Sequence, residues 1–93
     1  MALDFQWDPE KAHQNIQKHG VSFEEASTLF DDPLSITISD PLHSDLEERC
    51  VIVGESVRRR LLIVIHMDLG AAIRIITARV ATRHERRMYE GGR

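Results

Sequence analysis

The spacing of hydrophobic and polar positions changes character twice along the chain. Leu3-Asp4-Phe5-Gln6-Trp7 alternates apolar with polar, the pattern of a short strand with one buried face. Asp8-Pro9 follows as N-cap and first helical residue, and the helix it opens ends at His19-Gly20, where a glycine takes a left-handed cap without strain. Only Ala12 and Ile16 give that helix an apolar face, so much of it is expected to be wet or to meet a partner. Ser22-Phe23-Glu24-Glu25 has the S-x-x-E form of a capping box and opens a second helix, stopped by Asp31-Asp32-Pro33. Phe23, Ala26 and Phe30 form its expected core stripe. Two short helices joined about a glycine predict an N-terminal αα-hairpin.

From Leu34 the period becomes two. Leu34, Ile36 and Ile38 alternate with Ser35, Thr37 and Ser39, and a polar loop from Asp40 to Leu46 follows. Glu48 to Gly54 reads as the next strand, with Glu55-Ser56-Val57-Arg58 as its turn. Leu61 to Met67 is apolar on both faces, as a central strand is, and Ala72 to Ala78 is the last strand after the turn Asp68-Leu69-Gly70. Alternation along that strand sets Arg74 with Ile76 and Ala78, opposite Ile73 and Ile75. Thr82-Arg83-His84-Glu85 is a second capping box, opening a short C-terminal helix that ends near Glu90-Gly91. Strands linked by short turns predict an antiparallel meander. The expected fold is α+β: helices on one face of a four- to five-stranded antiparallel sheet, in a single domain spanning residues 1–93.

Composition narrows the class. With 42% hydrophobic and 29% charged residues the chain is ordinary for a globular domain. The longest strongly apolar run, Leu61 to Ile65, is too short for a membrane span, and no secretory signal is visible at the N-terminus, so a cytoplasmic location and no membrane partner are expected. One cysteine, Cys50, excludes an intramolecular disulfide and is expected to fill apolar space in a strand. The net charge of −3 conceals a split. Residues 1–57 hold three basic residues against twelve acids, whereas residues 58–93 hold nine arginines against three acids. Such asymmetry predicts two electrostatic faces, one suited to a polyanion or an acidic partner. Arginine's planar fork favours bidentate phosphate binding.

The five histidines (His13, His19, His43, His66, His84) are scattered without paired ligand spacing, so no metal and no cofactor are expected. A nucleophilic Ser or Cys motif is also absent. Metal-free RNA cleavage needs only a positioned strand, proton carriers and cations, which His19, Tyr89, Lys18 and several arginines could supply. For His19 the plainer reading is a helix C-terminal residue favoured by the macrodipole. Arg74 and Arg79 lie on the strand that leads into the last helix, where Arg83 and Arg87 form an i, i+4 pair.

Several stretches share the order and spacing of one known family. They are Phe5-Gln6-Trp7-Asp8-Pro9-Glu10-Lys11, Asn15, Lys18-His19-Gly20-Val21-Ser22-Phe23-Glu24-Glu25-Ala26, Phe30-Asp31-Asp32-Pro33 and Glu47-Glu48-Arg49. Arg74-Ile75-Ile76-Thr77-Ala78-Arg79 and Ala81-Thr82-Arg83-His84-Glu85-Arg86-Arg87-Met88-Tyr89-Glu90 complete the set. In these the chain resembles the BrnT toxins of type II toxin–antitoxin pairs. The resemblance implies a RelE-like fold and an endoribonuclease that inhibits translation. It also implies a hetero-oligomer with a cognate BrnA-like ribbon-helix-helix antitoxin, and contact with operator DNA only through that complex. It carries over Lys18, His19, Arg49, Arg74, Arg79 and Tyr89 as site candidates: His19, Arg49, Arg79 and Tyr89 are the catalytic candidates, and Lys18 and Arg74 join Arg83 and Arg87 of the last helix as RNA-binding candidates. Family members more often have Tyr where His66 stands, and here His66 is expected to preserve a polar strand end. The competing reading is a catalytically silent module that acts only with its antitoxin in operator binding.

Overall fold

The structure is a computed structural model that describes residues 3–39 and 49–91. The expected polar loop from Asp40 to Leu46, the strand start at Glu48 and the Glu47-Glu48 pair lie outside the described residues. Five strands, β1 (Asp4–Gln6), β2 (Ile36–Ser39), β3 (Arg49–Glu55), β4 (Leu61–Asp68) and β5 (Ala72–Val80), form one sheet in the order β1-β5-β4-β3-β2. Helices α1 (Pro9–His19) and α2 (Phe23–Ser27), with a 3-10 turn at Thr28–Asp31, connect β1 to β2, and α3 (Arg83–Gly91) follows β5.

β2 through β5 make the expected meander, and the doubly apolar β4 is the central strand. The sheet is nevertheless mixed, not antiparallel as expected. β1 runs parallel to β5, with Asp4, Phe5 and Gln6 opposite Ala72, Ile73 and Arg74. Short turns dictate antiparallel pairing only between strands adjacent in sequence. The long helical connection after β1 releases it from that rule, and it closes the far edge of the sheet.

One sheet face lies under α1 and α2. Ile52, Leu62, Val64, Ile75 and Ala78 pack there against Val21, Phe23, Ala26 and Leu29. The core stripe of α2 differs from the expected one. The 3-10 turn shortens the repeat to three residues, so Phe23, Ala26 and Leu29 are fully buried while Phe30 is half-buried. Phe30 still touches Phe5 and His66. The opposite face carries a smaller cluster of Val53, Leu61 and Ile63 beneath Tyr89 of α3.

Simple alternation along β5 fails at one point. His66 faces Ile75 but Ile65 faces Thr77, so Ile76 is the extra residue of a β-bulge. The bulge resets the phase. Ala78 therefore joins Ile75 in the core instead of sharing a face with Arg74, which is exposed.

The first capping box is half-formed. Ser22 Oγ accepts from Glu25 N (3.0 Å), but the Glu25 carboxylate turns away from the helix start. It accepts from Ser56 Oγ (2.7 Å) and from Arg60 Nε (2.9 Å), tying α2 to the β3–β4 turn. The bond from Arg60 outweighs burial and holds the Glu25 carboxyl below the ordinary carboxylate value.

His66 is a core residue at 3% exposure, its ring edge-on to Phe30 with centroids 4.9 Å apart. Among the described residues its Nδ1 has no hydrogen-bond partner, and burial lowers the pKa below the ordinary 6.5. The unfolded chain therefore takes up a proton near neutrality, whereas the folded chain resists it. Stability is fully present above about pH 6.5 and is lost as pH falls toward the folded value. Urea midpoints should drop between pH 7.5 and 5 in the parent, and His66→Phe should flatten that slope while keeping the ring contact. Equal slopes in the two proteins would assign the acid sensitivity elsewhere.

Candidate nucleic-acid interface

Helix α1 forms as expected. Asp8 caps it, accepting from Glu10 N at 2.9 Å, and Gly20 closes it at φ 69°. Its hold on the sheet is unexpected. Ile16 is 48% exposed, and the residue that reaches inward is Asn15. Asn15 Nδ2 donates to Val21 O (2.9 Å) and to Ala78 O (2.8 Å). Asn15 Oδ1 accepts from Ala78 N (3.2 Å) and from Thr77 Oγ1 (3.1 Å). β1 pairs with β5 only up to Arg74, so beyond that point the amide takes the place of a neighbouring strand.

Asn15 thereby presses the outer residues of α1 against the bulged edge of β5. Lys11, Gln14, Asn15, Lys18 and His19 line a groove of about 230 Å³ with Ile76 and Thr77. No acid lines it. Lys18 and His19 stand in the last helical turn, where exposed carbonyls favour positive charge. The groove can offer two ammonium groups to phosphates and an imidazole for proton transfer.

The arginine candidates lie elsewhere. Arg49 on β3 and Arg74 on β5 flank Met67 of β4 in one row across the sheet, and Arg74 also neighbours Gln6 of β1. Arg79 stands opposite Ile63, next to α3. Both of its terminal nitrogens bond the Glu85 carboxylate, each at 2.7 Å. Glu85 Oε1 also accepts from Thr82 N (2.8 Å), and Thr82 Oγ1 accepts from Glu85 N (3.2 Å), so this second capping box is complete. The space between the Arg79 fork and the start of α3, which would suit an anion, holds a carboxylate of the protein. Arg79 draws the Glu85 pKa down to about 2, and its own pKa rises.

Tyr89 is buried. Its hydroxyl donates to Asp32 Oδ2 at 2.7 Å, and the same oxygen accepts from Glu55 N at 2.8 Å. This close approach requires Gly54, where a Cβ would fall 3.3 Å from Asp32 Oδ2 and 3.1 Å from Ser35 Cβ. Arg83 and Arg87 are exposed on α3. The structure thus brings Lys18 and His19 together, sets Arg49 and Arg74 in one row, and places Arg79 and Tyr89 where they anchor α3.

Sequence reasoning missed Asn15 and Asp32 as partners, and it missed the pairing of Glu25 with Arg60 and of Glu85 with Arg79. A usable signal existed for Asn15, a polar residue one position before Ile16 on a helix whose apolar face was too thin to hold it. Among the described residues, no group of three or more His, Cys, Asp or Glu side chains is placed to hold a metal ion. No described helix is long and apolar enough to cross a membrane.

Residues 7–85 match the family described as the ribonuclease toxin, BrnT, of type II toxin–antitoxin systems. The chain belongs to the BrnT family. A crystal structure of the Brucella abortus ribonuclease toxin BrnT is similar, with 25% sequence identity and a TM-score of 0.64 over 88% of this chain and 100% of that one. No curated protein sequence matches the chain. Membership of a type II toxin–antitoxin family implies an antitoxin partner.

The Arg79–Glu85 pair can be separated from a role in phosphate binding by a double-mutant cycle. If Arg79 only anchors α3, Arg79→Ala and Glu85→Ala should lower toxicity equally, and the double variant should be no worse. If it also meets a phosphate, Arg79→Ala should lose roughly 10²–10³ more in rate than Glu85→Ala. Arg79→Lys should fail as well, since it keeps charge without the fork. Circular dichroism of each variant checks that α3 is retained.

Proposed function

We propose that this chain, as one RelE-like domain, is a metal-independent endoribonuclease that inhibits translation until a BrnA-like antitoxin neutralises it. The observation that carries this reading is the match of residues 7–85 to a ribonuclease toxin family. The acid-free groove of Lys11, Lys18 and His19 supports it chemically. In the proposed reaction a ribose 2′-hydroxyl attacks the adjacent phosphorus, the new O–P bond forms and the bond to the 5′-oxygen breaks. His19 takes the 2′ proton and returns one through solvent to the leaving 5′-oxygen, and the products end in a 2′,3′-cyclic phosphate and a 5′-hydroxyl. Lys18 balances charge on the phosphate, while Arg49, Arg74, Arg83 and Arg87 hold flanking phosphates. Tyr89 enters as the residue that holds α3 through Asp32. Purified, antitoxin-free protein should cleave bulk RNA in EDTA and leave cyclic phosphate ends. Complete loss with chelator, restored by a divalent ion, would overturn metal independence.

The antitoxin in this reading is a ribbon-helix-helix protein that shares the cytoplasm and carries the complex to operator DNA. Its inhibitory segment is acidic or amphipathic. An amphipathic segment fits the apolar groove of Ile36, Ile38, Val51, Val53, Ile63 and Met88, which Glu85 also lines, and an acidic one fits the arginines of α3 beside it. Backbone amides over residues 82–90 should exchange more slowly in the complex, and binding should weaken with salt. Unchanged exchange there would place the partner on another surface.

One observation favours the silent-module reading: Arg79 and Tyr89, two of the four catalytic candidates, are engaged by Glu85 and Asp32. Induction without antitoxin separates the readings, since growth arrest with shortened RNAs requires an enzyme.

A further inference from the structure

The Asn15 amide dictates which way the Thr77 hydroxyl points. Asn15 Nδ2 lies between two carbonyl oxygens, of Val21 and Ala78, and Oδ1 receives the Ala78 N–H. Reversing the amide would set oxygen against oxygen twice and N–H against N–H once, so the orientation is determined by the backbone. With Oδ1 fixed as an acceptor, the bond between it and Thr77 Oγ1 (3.1 Å) must use the threonine proton. A hydroxyl has one proton. Thr77 is left with lone pairs only, and it lines the groove between α1 and β5.

A group with that polarity is a poor phosphate ligand, because a phosphate diester carries no proton to give. It suits a ligand that donates. The cations of the groove supply the complementary chemistry: Lys11 and Lys18 only donate, and they stand seven residues apart on α1, about 10 Å along its axis. Asn15, which holds Thr77, lies between them, four residues after Lys11 and three before Lys18. The groove therefore offers cation, acceptor, cation in order. An RNA backbone offers phosphate, ribose 2′-hydroxyl, phosphate.

We propose that the α1–β5 groove is a ribose-reading subsite in which Thr77 Oγ1 accepts from an RNA 2′-hydroxyl while Lys11 and Lys18 hold the flanking phosphates. This deepens the ribonuclease reading and rests on it for the identity of the ligand as a nucleic acid. The ribose read here is not the attacking one, since attack requires the 2′ proton to pass to a base and a neutral hydroxyl is none. It belongs to a neighbouring nucleotide. Asn15 is a positioning residue, acting through Thr77. The subsite explains how a protein could prefer RNA to DNA of the same sequence, the 2′-hydroxyl being what distinguishes the two.

The test is binding of a short RNA and the matched DNA by fluorescence anisotropy, with cleavage of the RNA read on the same samples. The parent should bind RNA more tightly than DNA. Thr77→Val, which keeps shape and removes the acceptor, should weaken RNA binding about three- to tenfold and leave DNA binding unchanged. Thr77→Ser should restore the preference, and Lys11→Ala should weaken both strands alike. With the parent protein, single 2′-O-methyl substitutions walked along the RNA should find one position away from the cleaved bond that weakens binding. That arm stands even if Thr77→Val does not fold. Equal binding of RNA and DNA by the parent, equal losses for both strands in Thr77→Val, or no sensitive 2′ position would each overturn the subsite while leaving cleavage intact. Intact RNA bound in preference to DNA would instead overturn the ribonuclease reading and spare the subsite.

Discussion

A single buried amide docks α1 on the sheet. α1 brings almost no apolar surface to the sheet, so hydrophobic burial cannot dock it. The Asn15 side chain instead makes four hydrogen bonds, three of them to the backbone, on both sides of Ala78 and at Val21. Each bond contributes only about 1 kcal/mol net. The cost of losing them is larger, because buried backbone N–H and C=O groups on the β5 edge would be left unpaired. That asymmetry makes Asn15 a register device. It accepts one alignment of α1 on the bulged strand and penalises every other. Lys11, Lys18 and His19 inherit their place from it.

The other end of the chain is held by similar means. α3 buries one large side chain, Tyr89, and depends on two polar ties, Tyr89 to Asp32 and Arg79 to Glu85. The first reaches a segment distant along the chain, and the second returns to the strand that leads into the helix. A helix docked by so few contacts lies at the low end of local stability, where partner-dependent surfaces are commonly found. The guanidinium most suited to a phosphate is also the one that restrains α3. A ligand that takes Arg79 must therefore offer it at least what Glu85 does, or move the helix.

Much of the architecture was legible because the local signals agreed with one another. Asp8-Pro9 and Gly20 bracket α1 as expected, Thr82 and Glu85 form their box, and the continuous apolar run at Leu61–Met67 is the central strand. The failures share one cause. The direction of β1, the bulge at Ile76 and the turned-away Glu25 are all settled by contacts between segments far apart in sequence, which no local period encodes. The site followed the same division. Lys18 and His19 were visible as a cationic helix end, but their neighbour Thr77 was not. The ladder around Thr77 depends on the bulge, and the bulge leaves no mark on the alternation of Arg74 to Ala78.

Charge illustrates how a pattern along the chain can mislead about a pattern in space. The acidic first half and the arginine-rich second half suggested that the polyanion-binding face belongs to the second. Several of the described acids are spent inward: Glu25 on Arg60, Asp32 on backbone N–H groups and Tyr89, Glu85 on Arg79. Asp31 and Glu55 remain with Asp32 around a groove of about 310 Å³ by the β3–β4 turn. The acid-free groove, by contrast, takes its cations from the acidic half, from Lys11 and Lys18 on α1, and only its wall from β5. The groove with the acids is lined wholly by the first half of the chain, whereas the groove with the lysines draws on both halves. What decides a surface's partner is therefore which charges keep an outward-facing valence after internal pairing, and Asn15 and Glu85 do more to determine that than the net charge of either half.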